Sequence, residues 1–250
     1  LFFRDNIMLI RFSVENFLSF NDEVELALFS GKGRKHPSHV VKLDKPSNLK
    51  VLKIGAIYGA NASGKSNLIK AISFAQRLVI IGIRPNQIIP ITPFKFANDC
   101  ANKPSKFSFE IYQNGKAYAY GFALDTRIIH EEWLYEIGNK TEKLIFERKT
   151  IAGKTDIEFG ISFKNAKEEN FFEFLAEGTR TNQLFLTETL ERDSDRFTDV
   201  YTWFRDVLTV IFPDSKRQTL EFDIFSRDSF KSNLEQLLSN LDTGIDGIEL

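Results

Sequence analysis

With one cysteine, Cys100, the chain cannot close an internal disulfide, a usage that fits a reducing cytoplasm. Catalysis by Cys100 has little support: it sits in the polar stretch "ANDCANK", and only 3 histidines exist to activate a thiol. No run approaches the ~18–20 apolar residues of a membrane span, so no membrane role is expected. The opening "LFFRDNIMLIRF" has no long apolar region and no small-residue cleavage pattern, so it is not a signal peptide. Charge of one sign is missing too. The 33 basic and 34 acidic residues leave a formal net charge of −1, unlike the basic balance of a dedicated nucleic-acid-binding domain. Methionine occurs once, at Met8, where a strand-like "MLIRFSVENF" begins. Residues 1–7 therefore read as an upstream extension rather than part of the fold. Internal repeats and low-complexity segments are absent.

Phenylalanine is abundant, at 25 of 250 residues. A core built on aromatic bulk is the preferred reading. The alternative is exposed rings for a partner surface or base stacking. The length suits one large domain or two small ones.

The most specific signal is "IYGANASGKSNLIKAI", residues 57–72. Gly59, Ala60, Asn61, Ala62, Ser63, Gly64, Lys65 and Ser66 fit G-x-x-x-x-G-K-[ST], the Walker A pattern, at every fixed position. Glycines at both ends let the backbone curl and aim its N–H groups inward at phosphate oxygens. Lys65 is placed to reach the β- and γ-phosphates, and Ser66 is the expected protein ligand of Mg²⁺. Asn67 completes the expected binding set. The flanks agree with the motif. "VLKIGAIYG" suits a buried strand, and the following residues put Leu68, Ile69, Ile72, Ala75 and Leu78 on one helical face. The helix N-terminus would then point at the phosphates.

Elsewhere the pattern alternates. Strands are expected over 8–14 and 22–30, then a polar loop containing "GKGRKHPSH". Lys32, Arg34, Lys35 and His36 could touch phosphate; the bland reading is a solvated loop. His36 and His39 lack the partners of a metal site. Prolines in "RPNQIIPITPF" end helical structure after the loop helix. Two aromatic strands flank Asn114-Gly115, the strongest short hairpin signal. More antiparallel strands follow to about 163. From about 166 the period turns helical: "KEENFFEFLAEG", "NQLFLTETLER" and "SDRFTDVYTWFRDVLTVIF", the last capped by Asp193 or Ser194 and stopped by Pro213. "DSFKSNLEQLLSNLDTG" is a further helix, and "IDGIEL" reads as a strand.

The hairpin ahead of the loop gives the chain its resemblance. "FSVENFLSF" before "GAIYGANASGKSNLIKAI" resembles the opening of the SMC/Rad50/RecF-like branch of ABC ATPases. Within that branch the chain is similar to AAA15-type ATP-binding proteins, related to OLD-type and abortive-infection ATPases. "PFKF", "EEWLYE", "LIFER", "NQLFLT" and "LDTGIDGIEL" extend the likeness over 8–250. It implies an α/β P-loop NTPase of the ABC-ATPase type: an N-terminal lobe with an antiparallel β subdomain and a helical segment. The expected division is an ATP-binding lobe over 8–165, a helical segment over 166–244 and the start of a strand at 245–250. The resemblance also implies ATP and Mg²⁺ as ligands, Lys65 in catalysis, and a cytoplasmic homodimer formed through the nucleotide site. Its expected output is an action on DNA or an effector protein. Asn16, Phe17 and Ser19 match the turn near the nucleotide in this branch, so Asn16 and Ser19 join the expected binding residues. Leu18 stands where that turn often carries a basic residue.

A Walker B element and an LSGGQ-like signature are not found. Asp125 ends an apolar run but is followed by Thr126, and Glu131 and Glu132 look like an ordinary strand face. Neither Gln76 nor Gln87 sits in a convincing Mg²⁺-binding context. In the resembled family the missing motifs follow a "DTGI" stretch. The expectation is an N-terminal part of a longer ATPase or a truncated gene product. The competing reading is a nucleotide-sensing module that binds without turnover. A small-molecule kinase is disfavoured by the β-rich 105–163.

Overall fold

The computed structural model describes residues 7–31, 36–46, 49–97, 103–215 and 228–241, with residues 224, 226, 244, 247 and 248. Two compact units divide it, residues 1–210 and 211–250.

Alternating segments build the sheet of the first unit. Strand β1 (Met8–Glu15) pairs with β2 (Val24–Ala27) on one side. On its other side lies β5 (Ser105–Gln113), followed in order by β6 (Lys116–Leu124), β7 (Ile129–Ile137), β8 (Glu142–Ile151) and β9 (Lys154–Phe159). Every neighbouring pair is antiparallel. Short turns explain the simple order. At Asn114-Gly115 both residues have positive φ, 51° and 78°, the geometry that matches the twist of a two-residue hairpin.

Helix α1 (Lys65–Ile81) covers one face of this sheet with Leu68, Ala71, Ile72, Ala75, Leu78 and Val79. The facing side chains are largely aromatic. Phe12, Phe107, Phe109, Phe122 and Phe146 are fully buried, and Phe12 and Phe109 have ring centroids 4.6 Å apart. Each such ring contributes about 2–3 kcal/mol by leaving water. The phenylalanine excess is thus mainly core, while Phe96 and Phe174 remain exposed.

Helices α2 (Ala166–Gly178), α3 (Phe185–Glu191) and α4 (Thr198–Thr202) add to the same core through Phe172, Leu175, Phe185 and Val200. Asn165 caps α2 by accepting from the Glu168 amide at 3.0 Å. The third expected helix differs from its pattern. It starts after Phe197 and passes into a π-helical turn, Trp203–Val207. Neither Asp193 nor Ser194 is its cap, and the helix stops well before Pro213. Gln76 of α1 explains the ending: its side-chain amide donates to Phe204 O at 2.8 Å and Leu208 O at 2.6 Å. Those bonds satisfy terminal carbonyls that a longer helix would have used.

A second, two-stranded sheet joins β3 (Val40–Lys42) to β4 (Lys50–Leu52). Here an expectation fails. The strand before the phosphate loop is regular only to Leu52, and residues 53–60 are exposed. Ile54 is 75% exposed and Tyr58 92%. Apolar, β-prone residues suit burial, but burial also requires neighbouring strands. Among the described residues, none pairs with 54–58.

In the second unit, α5 (Asp228–Asn240) forms where expected, and Gly244 beyond it has φ +74°. The strand expected at 245–250 lies largely outside the described residues; Gly247 and Ile248 are not in a strand. Cys100, Lys32, Arg34 and Lys35 also lie outside them. His36 and His39 stack with ring centroids 5.4 Å apart. Among the described residues no group of three or more His, Cys, Asp or Glu could hold a metal ion, and no helix is long and apolar enough to cross a membrane.

Candidate functional site

Residues 59–66 form a tight loop entering α1. Gly64 ends it with φ +96°, and Ala62 also lies in the left-handed region at 64°. A Cβ on Gly64 would stand 3.0 Å from Phe20 Cε1 and 3.1 Å from Ser19 Oγ. A Cβ on Gly59 would meet Ser63 Oγ at 2.9 Å. Gly64 is therefore required by shape and by backbone freedom, and Gly59 by the close approach of Ser63.

The Lys65 ammonium folds back across the loop. It donates to Gly59 O at 2.7 Å and Ala60 O at 2.6 Å. The Ser63 amide also stays within the loop, on Ala60 O at 3.3 Å. By contrast the Lys65 and Ser66 amides, at the helix N-terminus, have no acceptor among the described residues. Neither has the Ser66 hydroxyl a partner there, and the residue is exposed. Free N–H groups, the positive helix end and a nearby ammonium make an anion-binding surface. The donor set also fits Mg²⁺ of the kind held mainly by phosphate oxygens and water, with Ser66 as one hydroxyl ligand.

The turn after β1 meets this loop through only one of its two expected residues. Ser19 Oγ accepts from Asn67 Nδ2 at 2.9 Å and so touches the first turn of α1. Asn16 points elsewhere. It is fully buried, accepts from the Phe94 amide at 3.2 Å and donates to Lys103 O at 2.6 Å. Its side chain pins neighbouring backbone, and its φ of 50° shapes the turn. Phe17 is buried in the core and Phe20 packs against it.

The acids near the sheet do other work. Asp125 Oδ1 accepts from the Arg127 amide at 2.6 Å and the Ile128 amide at 2.9 Å, while Oδ2 meets His130 at 2.8 Å. Burial alone would raise this carboxyl. The two amides and His130 outweigh burial and hold it below its ordinary value. Glu131 is exposed.

Glu132 is not the ordinary strand residue expected. It is completely buried, directly across the β7–β8 ladder from Arg148, which is also completely buried. Its carboxylate receives the Phe185 amide at 2.6 Å, the Leu186 amide at 3.0 Å and the Tyr120 hydroxyl at 3.0 Å; Arg148 Nη1 lies 3.5 Å away. Arg148 donates in turn to Gln183 O and Arg180 O. Burial raises the Glu132 carboxyl above its ordinary value, against the pull of Arg148 and the donors. Burial likewise lowers Arg148. The pair fastens the start of α3 to the sheet. That segment then grips the far end of α1: Thr187 donates to Val79 O at 2.9 Å, and Gln183 accepts from the Ile83 amide at 3.0 Å. Strand alternation was the available signal, since Glu132 and Arg148 fall in phase with the inward Leu134 and Phe146.

A family described as "AAA domain, putative AbiEii toxin, Type IV TA system" matches residues 54–246, a span that begins just before the phosphate loop. Among curated proteins, none matches the chain. The match covers most of the sequence and includes the loop, so the chain belongs to this AAA-domain family of P-loop ATPases.

Proposed function

We propose that the chain binds ATP with Mg²⁺ through Gly59–Ser66 and Asn67, with Ser19 steadying the loop from the β1 turn. The observation that carries this reading is the loop itself: Lys65 rests on two loop carbonyls while the Lys65 and Ser66 amides stand open at the head of α1. On binding, Lys65 exchanges neutral carbonyls for phosphate oxygens. A hydrogen bond between charged groups contributes about 1.5–3 kcal/mol, against roughly 0.5–1.5 for an ordinary one. The open amides take further phosphate oxygens, and Ser66 supplies its hydroxyl. Bound Mg²⁺ would neutralise phosphate charge there.

The ABC-type assignment rests on the antiparallel β1–β2 hairpin before the loop and the antiparallel β5–β9 array after it. In that arrangement residues 8–165 form the ATP-binding lobe and 166–244 a helical segment. Two copies close on ATP, in the cytoplasm, and their closure drives an effector or an action on DNA. The bare, apolar 54–58 supports a site that a further strand would complete.

A second reading is nucleotide sensing without turnover. One observation favours it: Asp125 and Glu132, the acids weighed for catalysis, are engaged in structural hydrogen bonds. Phosphate release from ATP with Mg²⁺, compared between wild type and Lys65→Ala, separates the two. Release that the substitution abolishes supports an ATPase; bound ATP recovered intact supports the sensor.

A further inference from the structure

The end of α1 remote from the phosphate loop carries a second concentration of positive charge. Seventeen helical residues separate the two ends, about 25 Å at 1.5 Å per residue. Three segments converge there: the turn after α1, the β6–β7 loop and the stretch entering α3. They are tied by Ile89 N to Thr126 O at 2.9 Å, Ile129 N to Thr181 O at 2.7 Å and Asn182 Nδ2 to Gln87 O at 3.0 Å. Arg180 Nη2 also donates to Ile83 O at 2.7 Å. These bonds fix the walls of a cleft of about 560 Å³ that includes Asn86, Ile88, Arg127, Arg180, Thr181 and Asn182.

No lining residue is acidic. The Arg127 side chain is exposed and has no acceptor among the described residues. Arg180 Nε is buried and equally without one. Arg84, which opens the adjoining turn, is exposed with a guanidinium unpaired among the described residues. Asp125 is the carboxylate closest in sequence to Arg127, and it is turned toward backbone amides and His130. Elsewhere on the same unit several surface arginines find acids: Arg11 pairs with Glu25 and Glu110, Arg205 with Asp206, whereas Arg77 on α1 stands alone among the described residues. What marks this cleft out, in a chain of net charge −1, is that three arginines without an acid partner among the described residues, Arg84, Arg127 and Arg180, come from segments that converge on it.

We infer that this cleft is a second phosphate-binding site, separate from the loop at 59–66. A guanidinium presents a planar fork of donors that matches phosphate oxygens two at a time. Several positive groups around one opening exceed what a single carboxylate neutralises and suit a phosphate dianion or successive phosphodiesters. The Asn86 amide and the Thr181 hydroxyl add neutral donors. The recognised chemistry is the phosphate group, carried by a free phosphorylated molecule or by a nucleic-acid backbone. The inference does not rest on ATP binding at the loop. The cleft is joined to α1 through Ile83 and Gln87, so a ligand here would bear on the same helix that heads the loop.

The test uses the full chain with ¹⁵N-labelled arginine, following side-chain Nε–H signals assigned by Arg84→Lys, Arg127→Lys and Arg180→Lys. Arg77, an exposed residue of α1, is the internal control. Inorganic phosphate is titrated first, then a short oligothymidylate. Saturable shifts at Arg84, Arg127 and Arg180 with inorganic phosphate support a site for a free phosphorylated ligand. Shifts with the oligothymidylate alone, weakening steeply with salt, support a nucleic-acid backbone. In either case Arg84→Glu with Arg127→Glu should weaken binding at least about tenfold, the loss of roughly one charge-assisted bond. If neither probe moves these signals more than Arg77, at millimolar phosphate, the inference is overturned. The titration of the unsubstituted chain decides this even if the doubly reversed variant fails to fold.

Discussion

Replacing Glu132 with Gln changes one acceptor oxygen into a donor NH₂ at the centre of a buried cluster. If the new amide group takes the Oε2 position, it faces the Phe185 amide and Arg148; at Oε1 it faces the Leu186 amide and the Tyr120 hydroxyl. Tyr120 can turn its hydroxyl to accept, but a backbone N–H cannot, so either orientation orphans one amide. Arg148, with a fully buried side chain, also loses its counter-charge. Removing one partner of such a pair costs about 3–5 kcal/mol, a total that overlaps with the ~1–3 kcal/mol of an orphaned donor. Urea unfolding followed by tryptophan fluorescence is the assay. The only tryptophans, Trp133 and Trp203, lie in the first unit, so the signal reports the domain in question. With an m-value of about 2–3 kcal/mol/M, the midpoint should fall by roughly 1–2 M. Adding Arg148→Met removes the lone charge and should recover part of the loss. It should not restore wild-type stability, because Gln183 O and Arg180 O then lose their donor. A single-variant loss below about 1 kcal/mol, or a double variant as stable as wild type, would refute the assignment of this pair as the fastening of α3.

Gly121→Ala would place a Cβ 2.3 Å from Trp133 Cζ2 and 2.6 Å from Phe107 O. A loss of about 1–3 kcal/mol with a changed tryptophan spectrum is expected, and an unchanged melting curve and spectrum would count against that close packing. Gly64→Ala adds both a strained φ of +96° and contacts with Phe20 and Ser19, so it should cost roughly 1–2 kcal/mol locally and weaken nucleotide binding. Binding equal to wild type in a titration would show that the turn does not brace the loop. Asp125 has a carboxyl lowered on folding, so its stabilisation is present above the ordinary aspartate value near 3.8 and disappears as pH falls through its folded value. Asp125→Asn should therefore lower the melting temperature at neutral pH and converge with wild type in strong acid. A gap that widens on acidification would contradict the sign.

Local chemistry made much of the fold legible. Asn114-Gly115 announces its hairpin because both residues tolerate positive φ. The 3.6-residue stripe of α1 follows from Leu68, Ile72, Ala75 and Leu78. The phosphate loop reads directly because its function depends on glycines and a lysine at fixed spacing. What escaped depends on distant partners. Ile54 to Tyr58 have strand composition, but whether a strand is paired is decided by other segments. The π-turn ends at Val207 because Gln76, more than 120 residues earlier, reaches its carbonyls. Asn16 looks like a ligand-side residue in a motif, yet its neighbours at 94 and 103 claim its amide. Glu132 reads as an ordinary strand face in the sequence; its phase with Leu134 signals burial, but its role depends on Arg148 standing opposite and on α3 beginning at its carboxylate.

Calorimetric titration of the purified chain with ATP and Mg²⁺, beside Lys65→Ala, tests the central claim most directly. Saturable binding at one site, weakened at least about tenfold by the substitution, is the predicted result, since Lys65 gives phosphate a charge-assisted partner. Heat of binding that is absent in the wild type, or equal in the two proteins while both remain folded, would contradict a nucleotide site at Gly59–Ser66.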